Sequence, residues 1–270
     1  MPGDKHAKLD TLRQQITAIA AQPALRDTAH TVVGGGLLAT PRGVLHEVYA
    51  DTPRDGGAAL GFALAQAGLL IESGRPAVLY VQMSADAQEL GLPYGLGLGL
   101  FGLDPRQLVL IRTAGIAELL WAIEEAIACR AVAAIVADIA HPHKALDFTA
   151  SRRLSLRAAA AGASVLMVRY ARDRETSAAR YRWRISPVQS RPPPFDDRAP
   201  GLPRWQVTLE KGSLDGQHIV SPEGEALVVD WTRHGFARVA ADDRTGGARR
   251  TAPLSGAISA ALGDGLSQAS

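Results

Sequence analysis

The apolar positions of this chain alternate between helical stripes and short continuous runs. Leu9, Leu12, Ile16 and Ile19 keep the spacing of one helical face, which predicts an amphipathic helix over residues 8–21. Turn residues at Gly34-Gly35-Gly36 and Pro41-Arg42-Gly43 then lead into a predicted strand, Leu45–Tyr49. From Gly57 to Glu72 the residues are small and apolar, the pattern of a helix buried against a sheet. Further strands are predicted over Ala77–Gln82 and Leu108–Arg112. Ile116, Leu119, Leu120, Ile123 and Ile127 mark the buried face of another helix, with Glu124 and Glu125 turned mainly to solvent. The run VAAIVAD at 132–138 has the form of a buried parallel strand ending in an acid, and a helix over Asp147–Ala161 and a strand over Ser164–Tyr170 continue the alternation. Strands separated by helices predict an α/β fold: a mostly parallel sheet flanked by helices.

After Arg172 the pattern changes to period two. Tyr181, Trp183 and Ile185 fall on one side of a predicted strand, and Arg180, Arg182 and Arg184 on the other. RPPPFDDRAPGLP at 191–203 reads as an exposed loop, and strands over Trp205–Lys211 and Ala226–Trp231 are expected to add antiparallel pairing at the C-terminal edge. Beyond about residue 240 small and polar residues predict a flexible tail. The domain reading is an N-terminal helix within 1–30, a core over 31–235 and a tail over 236–270. Within glycine-rich 91–103, Gly97 to Gly102 match G-x-G-x-x-G, yet the match runs into Asp104-Pro105 and a new strand. A dinucleotide fingerprint instead leaves a strand and opens a helix. The segment is expected to be a mobile loop whose apolar side chains meet a partner or pack along an edge.

Composition narrows the class. With 47% apolar residues in 270, the chain can bury a sizeable core, and it has no apolar run long enough to span a bilayer. The polar start MPGDKHAK lacks a signal core, so a cytoplasmic location without membrane association is expected. The lone Cys129 excludes an intrachain disulfide and is expected to pack in the core; no metal site or cofactor is expected, His141-Pro142-His143 offering too few ligands. Charge is uneven: residues 152–191 hold ten arginines against Asp173 and Glu175, which points to an acidic or polyanionic partner. Arg180, Arg182 and Arg184 are the first candidates for DNA or partner binding. Arg152, Arg153 and Arg157 on the following-face positions of the 147–161 helix are the second, with Arg153 and Arg157 four apart.

Several segments together carry a resemblance: PRGVLHEVY at 41–49, GLDPRQLVLIR at 102–112, ELLWAIEEAI at 118–127, LDFTASRRLSL at 146–156, RYRWRISP at 180–187 and GLPRWQVTLEKG at 201–212. In order and spacing the chain resembles the RecA-like core and, more closely, the ImuA family of RecA/SulA-like proteins. The resemblance places HEVYADTPRDGGAAL, 46–60, where a RecA-like ATPase carries its phosphate-binding loop. Such a loop needs a lysine for the phosphates and a hydroxyl for Mg²⁺ after its second glycine. Here Gly56 keeps that glycine, but Gly57 and Ala58 stand at the other two positions, and Asp51 and Asp55 would repel a triphosphate unless a cation intervened. Asp138 matches the acid that ends the second nucleotide-site strand, and Gln82 lies near the place of the catalytic glutamate, where a carboxamide cannot act as base. The expectation is a protein without enzymatic activity and without a nucleotide, with Asp138 a remnant of the fold.

What the resemblance implies is an accessory role in SOS-induced translesion synthesis, DNA repair and mutagenesis. The implied partners are an ImuB-like Y-family polymerase homologue, RecA, an error-prone replicative-type polymerase and, weakly, DNA itself. Two alternatives stay open: a SulA-like inhibitor of a cell-division protein, or an ATPase in which Arg54 replaces the missing lysine.

Overall fold

The computed structural model describes residues 37–193, 195, 196, 198–214 and 226–239. The helix expected over 8–21 and the tail expected beyond 240 lie outside them. Nine strands form one sheet in the order β3-β2-β4-β5-β1-β6-β7-β8-β9. The first six are β1 (Leu45–Ala50), β2 (Ala77–Met83), β3 (Leu108–Thr113), β4 (Val132–Ile139), β5 (Ser164–Tyr170) and β6 (Tyr181–Pro187), and they pair with one another in parallel. β7 (Arg204–Lys211), β8 (Leu227–Thr232) and β9 (Gly235–Arg238) extend the sheet by antiparallel pairing. The α/β reading, including the antiparallel C-terminal edge, therefore holds; β9 was not anticipated, because four residues give no usable periodicity.

Among the described residues four α-helices flank the sheet: α1 (Gly56–Leu69), α2 (Ser84–Leu90), α3 (Ile116–Ala128) and α4 (Phe148–Ala161). Among the described residues no helix is long and apolar enough to cross a membrane. α3 and α4 present one apolar stripe each, as a helix lying on a sheet must. Leu119, Ile123, Ile127, Leu154 and Ala158 pack there with Leu45, Val81, Ile135 and Val165. α4 begins cleanly because Asp147 caps it, accepting the Ala150 N–H at 2.7 Å, and ends at Gly162, whose φ of 71° suits the left-handed turn. α2 is short and polar, which is why no stripe foretold it.

On the opposite face α1 is apolar nearly all round and is enclosed accordingly. Phe62 meets the rings of Trp183, Trp205 and Phe236 at centroid separations of 5.6, 5.9 and 5.1 Å. The buried sides of β6 to β9, including Tyr181, Trp183, Trp205, Val229, Trp231 and Phe236, all join this one cluster. His46 of β1 lies within it, fully buried, stacked on Tyr181 at 5.2 Å and accepting the Trp183 Nε1–H at Nδ1 (3.3 Å). Burial, with a smaller contribution from the Arg180 charge, lowers its pKa to about 3, so the ring is neutral.

The glycine-rich segment closes the outer side of α1. Instead of a loop, Gly95–Phe101 forms a 3-10 turn, with Leu98 and Leu103 buried beneath it. Phe101 stacks on Trp205 (6.3 Å), and Trp231 Nε1 donates to the Leu100 carbonyl. Two glycines of α1 make room. A Cβ on Gly61 would sit 3.0 Å from the Phe101 ring, and one on Gly68 only 2.8 Å from the Phe101 carbonyl oxygen. Cys129 departs from expectation in another way: α3 stops at Ala128, the chain turns toward β4, and the thiol is exposed.

These contacts separate two substitutions of the same kind. Gly68→Ala forces the segment off α1 and is expected to cost about 1–3 kcal/mol of unfolding free energy. Gly57→Ala, with open space around its Cβ position, is expected to be neutral or to stabilise by up to about 1 kcal/mol through helix propensity. Urea unfolding of the two variants beside the parent checks this; equal midpoints would contradict the enclosed helix.

Candidate functional site: the carboxyl ends of the central strands

In an open α/β sheet, ligands approach the carboxyl ends of the parallel strands. Here those ends present the β1–α1 turn, Gln82 of β2, Asp138 of β4 and Tyr170 of β5. The turn is a single 3-10 turn, Pro53–Asp55, between Thr52 and α1. Its carboxylates are occupied. Asp55 accepts the Thr52 hydroxyl at 3.1 Å, and Asp51 accepts from Arg174 Nη2 at 2.7 Å, with Arg184 at 3.9 Å. The cation beside Asp51 is thus a side chain of the protein, whereas Asp55 meets only the neutral Thr52 hydroxyl.

Asp138 is buried, and three neutral donors converge on it. Tyr170 OH donates to Oδ1 at 2.6 Å; Tyr80 OH and Gln82 Nε2 donate to Oδ2 at 2.6 and 3.2 Å. β2 and β4 run in register here, Gln82 opposite Asp138, and Tyr80 precedes Gln82 by two on the same sheet face. Desolvation raises the Asp138 pKa above the ordinary carboxylate range against the opposing pull of both tyrosine bonds, and Asp86 adds to the rise. Both tyrosines are in turn pushed above their usual range, by burial first and then by the acid.

Tyr170 does two things at once. Its ring lies 2.6 Å from where a Cβ on Gly56 would stand, while its hydroxyl holds Asp138. Gly56 therefore serves the approach of an aromatic ring, and Gly57 faces open space. Asp86, also buried, accepts the Ala140 N–H at 3.0 Å and ties the end of β4 to α2; His141 Nε2 lies 3.0 Å from Glu89 on the same helix.

The arginine candidates fall in three places. Arg182 and Arg184 project from β6 on the face opposite Trp183, as the alternation indicated, but acids lie beside them. Arg182 Nε donates to Glu47 Oε2 at 2.8 Å, with Ser177 Oγ donating to the same oxygen at 2.7 Å. Glu47 is fully buried, and Arg169 stands 3.8 Å away while binding Glu175 at 2.5 Å. Arg184 lies 3.6 Å from Glu210 and keeps 41% of its side chain exposed. Arg180 lies over the Tyr181 ring at 5.6 Å. On α4, Arg153 and Arg157 both pair with Glu124 of α3, at 2.6 and 3.2 Å, so Glu124 joins two helices where solvation was expected; Arg152 is half-exposed beside them.

Arg174, Tyr49, Tyr80 and Tyr170 escaped the sequence reading. Arg174 bonds Asp51 and Glu210 (2.9 Å) and lies 4.3 Å from the Tyr49 centroid, locking the β1–α1 turn to β7. The tyrosines sat inside apolar strand runs, where only the period-two position of Tyr80 relative to Gln82 hinted at a shared partner.

The class is thus an α/β protein of one mixed, mostly parallel sheet with a closed, acid-centred carboxyl edge. No family model matches the chain. It is 36% identical over 190 residues to the Protein ImuA of two strains of Caulobacter vibrioides, a match covering 66% of this chain and 72% of theirs. The chain belongs to the ImuA family.

Asp138 yields a pH test. Its folded pKa is raised above the unfolded value of 3.8, so the folded state binds this proton more tightly. The stability so gained is fully present below pH 3.8 and is lost as pH rises through the folded value, at up to about 1.4 kcal/mol per unit. Relative to Asp138→Asn, the parent is expected to lose unfolding free energy as pH is raised from about 4. Asp138→Ala, which leaves two buried hydroxyls without an acceptor, is expected to cost about 2–4 kcal/mol. A pH-independent gap between parent and Asn variant in denaturant titrations would contradict the buried acid.

Proposed function

We propose that this protein is a non-enzymatic accessory of damage-induced translesion synthesis that acts by binding an ImuB-like Y-family polymerase homologue, RecA, or both. Family membership supports the pathway. The reading without chemistry rests on one observation: the Tyr170 ring packs on Gly56, and its hydroxyl, with Tyr80 and Gln82, takes up three of the roughly four acceptor sites of Asp138. A carboxylate that holds a magnesium ion needs a lone pair facing the ligand. Asp138 directs its oxygens into a set of neutral donors, and Gly57 and Ala58 stand where a phosphate-binding loop carries its lysine and hydroxyl. We read the parallel strands as a RecA-like core whose nucleotide site has been filled by side chains.

Direct DNA binding has weaker support. Arg174, Arg182 and Arg184 each lie beside carboxylates of the same chain, and a phosphate would have to displace Glu47, Asp51 or Glu210 to reach them.

Equilibrium titration with a fluorescent ATP analogue and Mg²⁺ is expected to give no saturable signal up to millimolar ligand, whereas immobilised ImuB-like protein or RecA filament is expected to retain the full chain. Saturable nucleotide binding that Asp138→Asn abolishes would overturn the first half. Failure to bind either protein would overturn the second.

A further inference from the structure

We propose that the apolar rim formed by Leu92, Tyr94, Leu96 and Leu100 is the seat of this chain's own N-terminal segment, residues 8–21. The rim is unusual for a protein surface. Tyr94 is 72% exposed, Leu96 79%, Leu100 55% and Leu92 46%, four large apolar side chains within nine residues, and the strip from Gly91 to Leu103 carries no charge. Scattered exposed leucines need no explanation, but a contiguous uncharged strip marks a contact surface. Its backbone is held in place from below: Leu98 and Leu103 are buried, Phe101 stacks on Trp205, and the Leu100 carbonyl accepts from Trp231. The exposed side chains therefore stand on a fixed support, and their exposure does not come from a failure to pack.

Two features identify the occupant. The first is where the described chain begins. Leu37 packs against the cluster around α1, and Leu38 is buried with its carbonyl accepting Gln66 Nε2 of α1 at 3.2 Å. The glycine-rich strip packs on α1 as well, through Gly61 and Gly68. The N-terminal segment is thus tethered to the very helix that carries the rim. Fifteen residues separate position 21 from Leu37 and can extend to about 50 Å, whereas α1 is only about 21 Å long. The second feature is the sequence of the segment, which lies outside the described residues: Leu9, Leu12, Ile16 and Ile19 at helical spacing give an uncharged stripe in need of an apolar partner. A tether of this length holds the stripe at an effective concentration on the order of millimolar, which favours it over a free protein of equal affinity.

The test uses the full chain. Hydrogen–deuterium exchange across residues 91–103 is compared between the parent and Leu12→Asp/Ile16→Asp, both positions lying outside the described residues. The expected result is exchange roughly tenfold faster in the variant. In parallel, Ile16→Cys with Leu96→Cys in a Cys129→Ser background is expected to form an intramolecular disulfide on mild oxidation, seen as a monomer of altered mobility on a non-reducing gel. Unchanged exchange overturns the proposal. So does a disulfide formed only between two chains, which would make the occupant a second copy, or protection of 91–103 that arises only when a partner protein is added.

Discussion

Helix α1 has no polar face, and that constraint organises the molecule. A helix apolar all round must be covered on every side, and one face of a sheet covers only part of it. The antiparallel strands β6 to β9 supply more cover by directing Trp183, Trp205, Trp231 and Phe236 toward Phe62, and the glycine-rich turn closes the outer side with Phe101 and Leu98. Aromatic residues make up only 5% of the chain, yet all four tryptophans except Trp121 serve this one helix. The same demand explains why the far faces of β6 to β9 are polar. With their apolar sides committed to α1 and, among the described residues, no helix packed behind them, those strands present Arg182, Arg184, Gln206, Glu210 and Asp230 outward.

Two buried acids, on the strands to either side of β5, show how differently this fold handles charge. Glu47 of β1 is matched by Arg182 and Arg169, with Ser177 completing the set, and these contacts pin the segment after β5 onto the sheet. Asp138 of β4 has only neutral donors, and desolvation outweighs them. An ion pair of the first kind fixes geometry; a carboxyl of the second kind holds its neighbours only through hydrogen bonds. Tyr170, bonded to Asp138 and wedged against Gly56, passes that constraint to the start of α1.

How much of this was written in the sequence follows from the range of each interaction. Strand and helix identities were legible because apolar runs and stripes are local signals, and β1 to β8 fell within a residue or two of their expected limits. The sidedness of Tyr181, Trp183 and Ile185 against Arg182 and Arg184 was legible for the same reason. The partners of those arginines were not: Glu47 is 135 residues from Arg182, and alternation gives a face without saying what lies beside it. Asp138 was singled out through resemblance, whereas the tyrosines that surround it looked like ordinary strand residues. Cys129 and the glycine-rich turn were misjudged because both depend on where a helix stops and what packs on it, which periodicity does not resolve.

The distribution of satisfied and unsatisfied groups bears on the proposed role. Several of the arginines are already matched: Arg174 with Asp51 and Glu210 beside the β1–α1 turn, Arg182 with Glu47 within the sheet, and Arg153 and Arg157 with Glu124 between α3 and α4. A charged ligand arriving there gains little, because each new ion pair replaces an existing one and exposed pairs contribute under about 1 kcal/mol. Large apolar side chains are exposed as well: the 92–100 rim, Trp121 on the outer side of α3, and Val109 and Leu110 on β3, whose outer edge carries no strand among the described residues. Recognition through such surfaces releases water from apolar area and depends weakly on salt. An adaptor working this way discriminates by shape and by strand or helix register, and its affinity for a protein partner survives ionic strengths that strip a phosphate-binding protein from DNA.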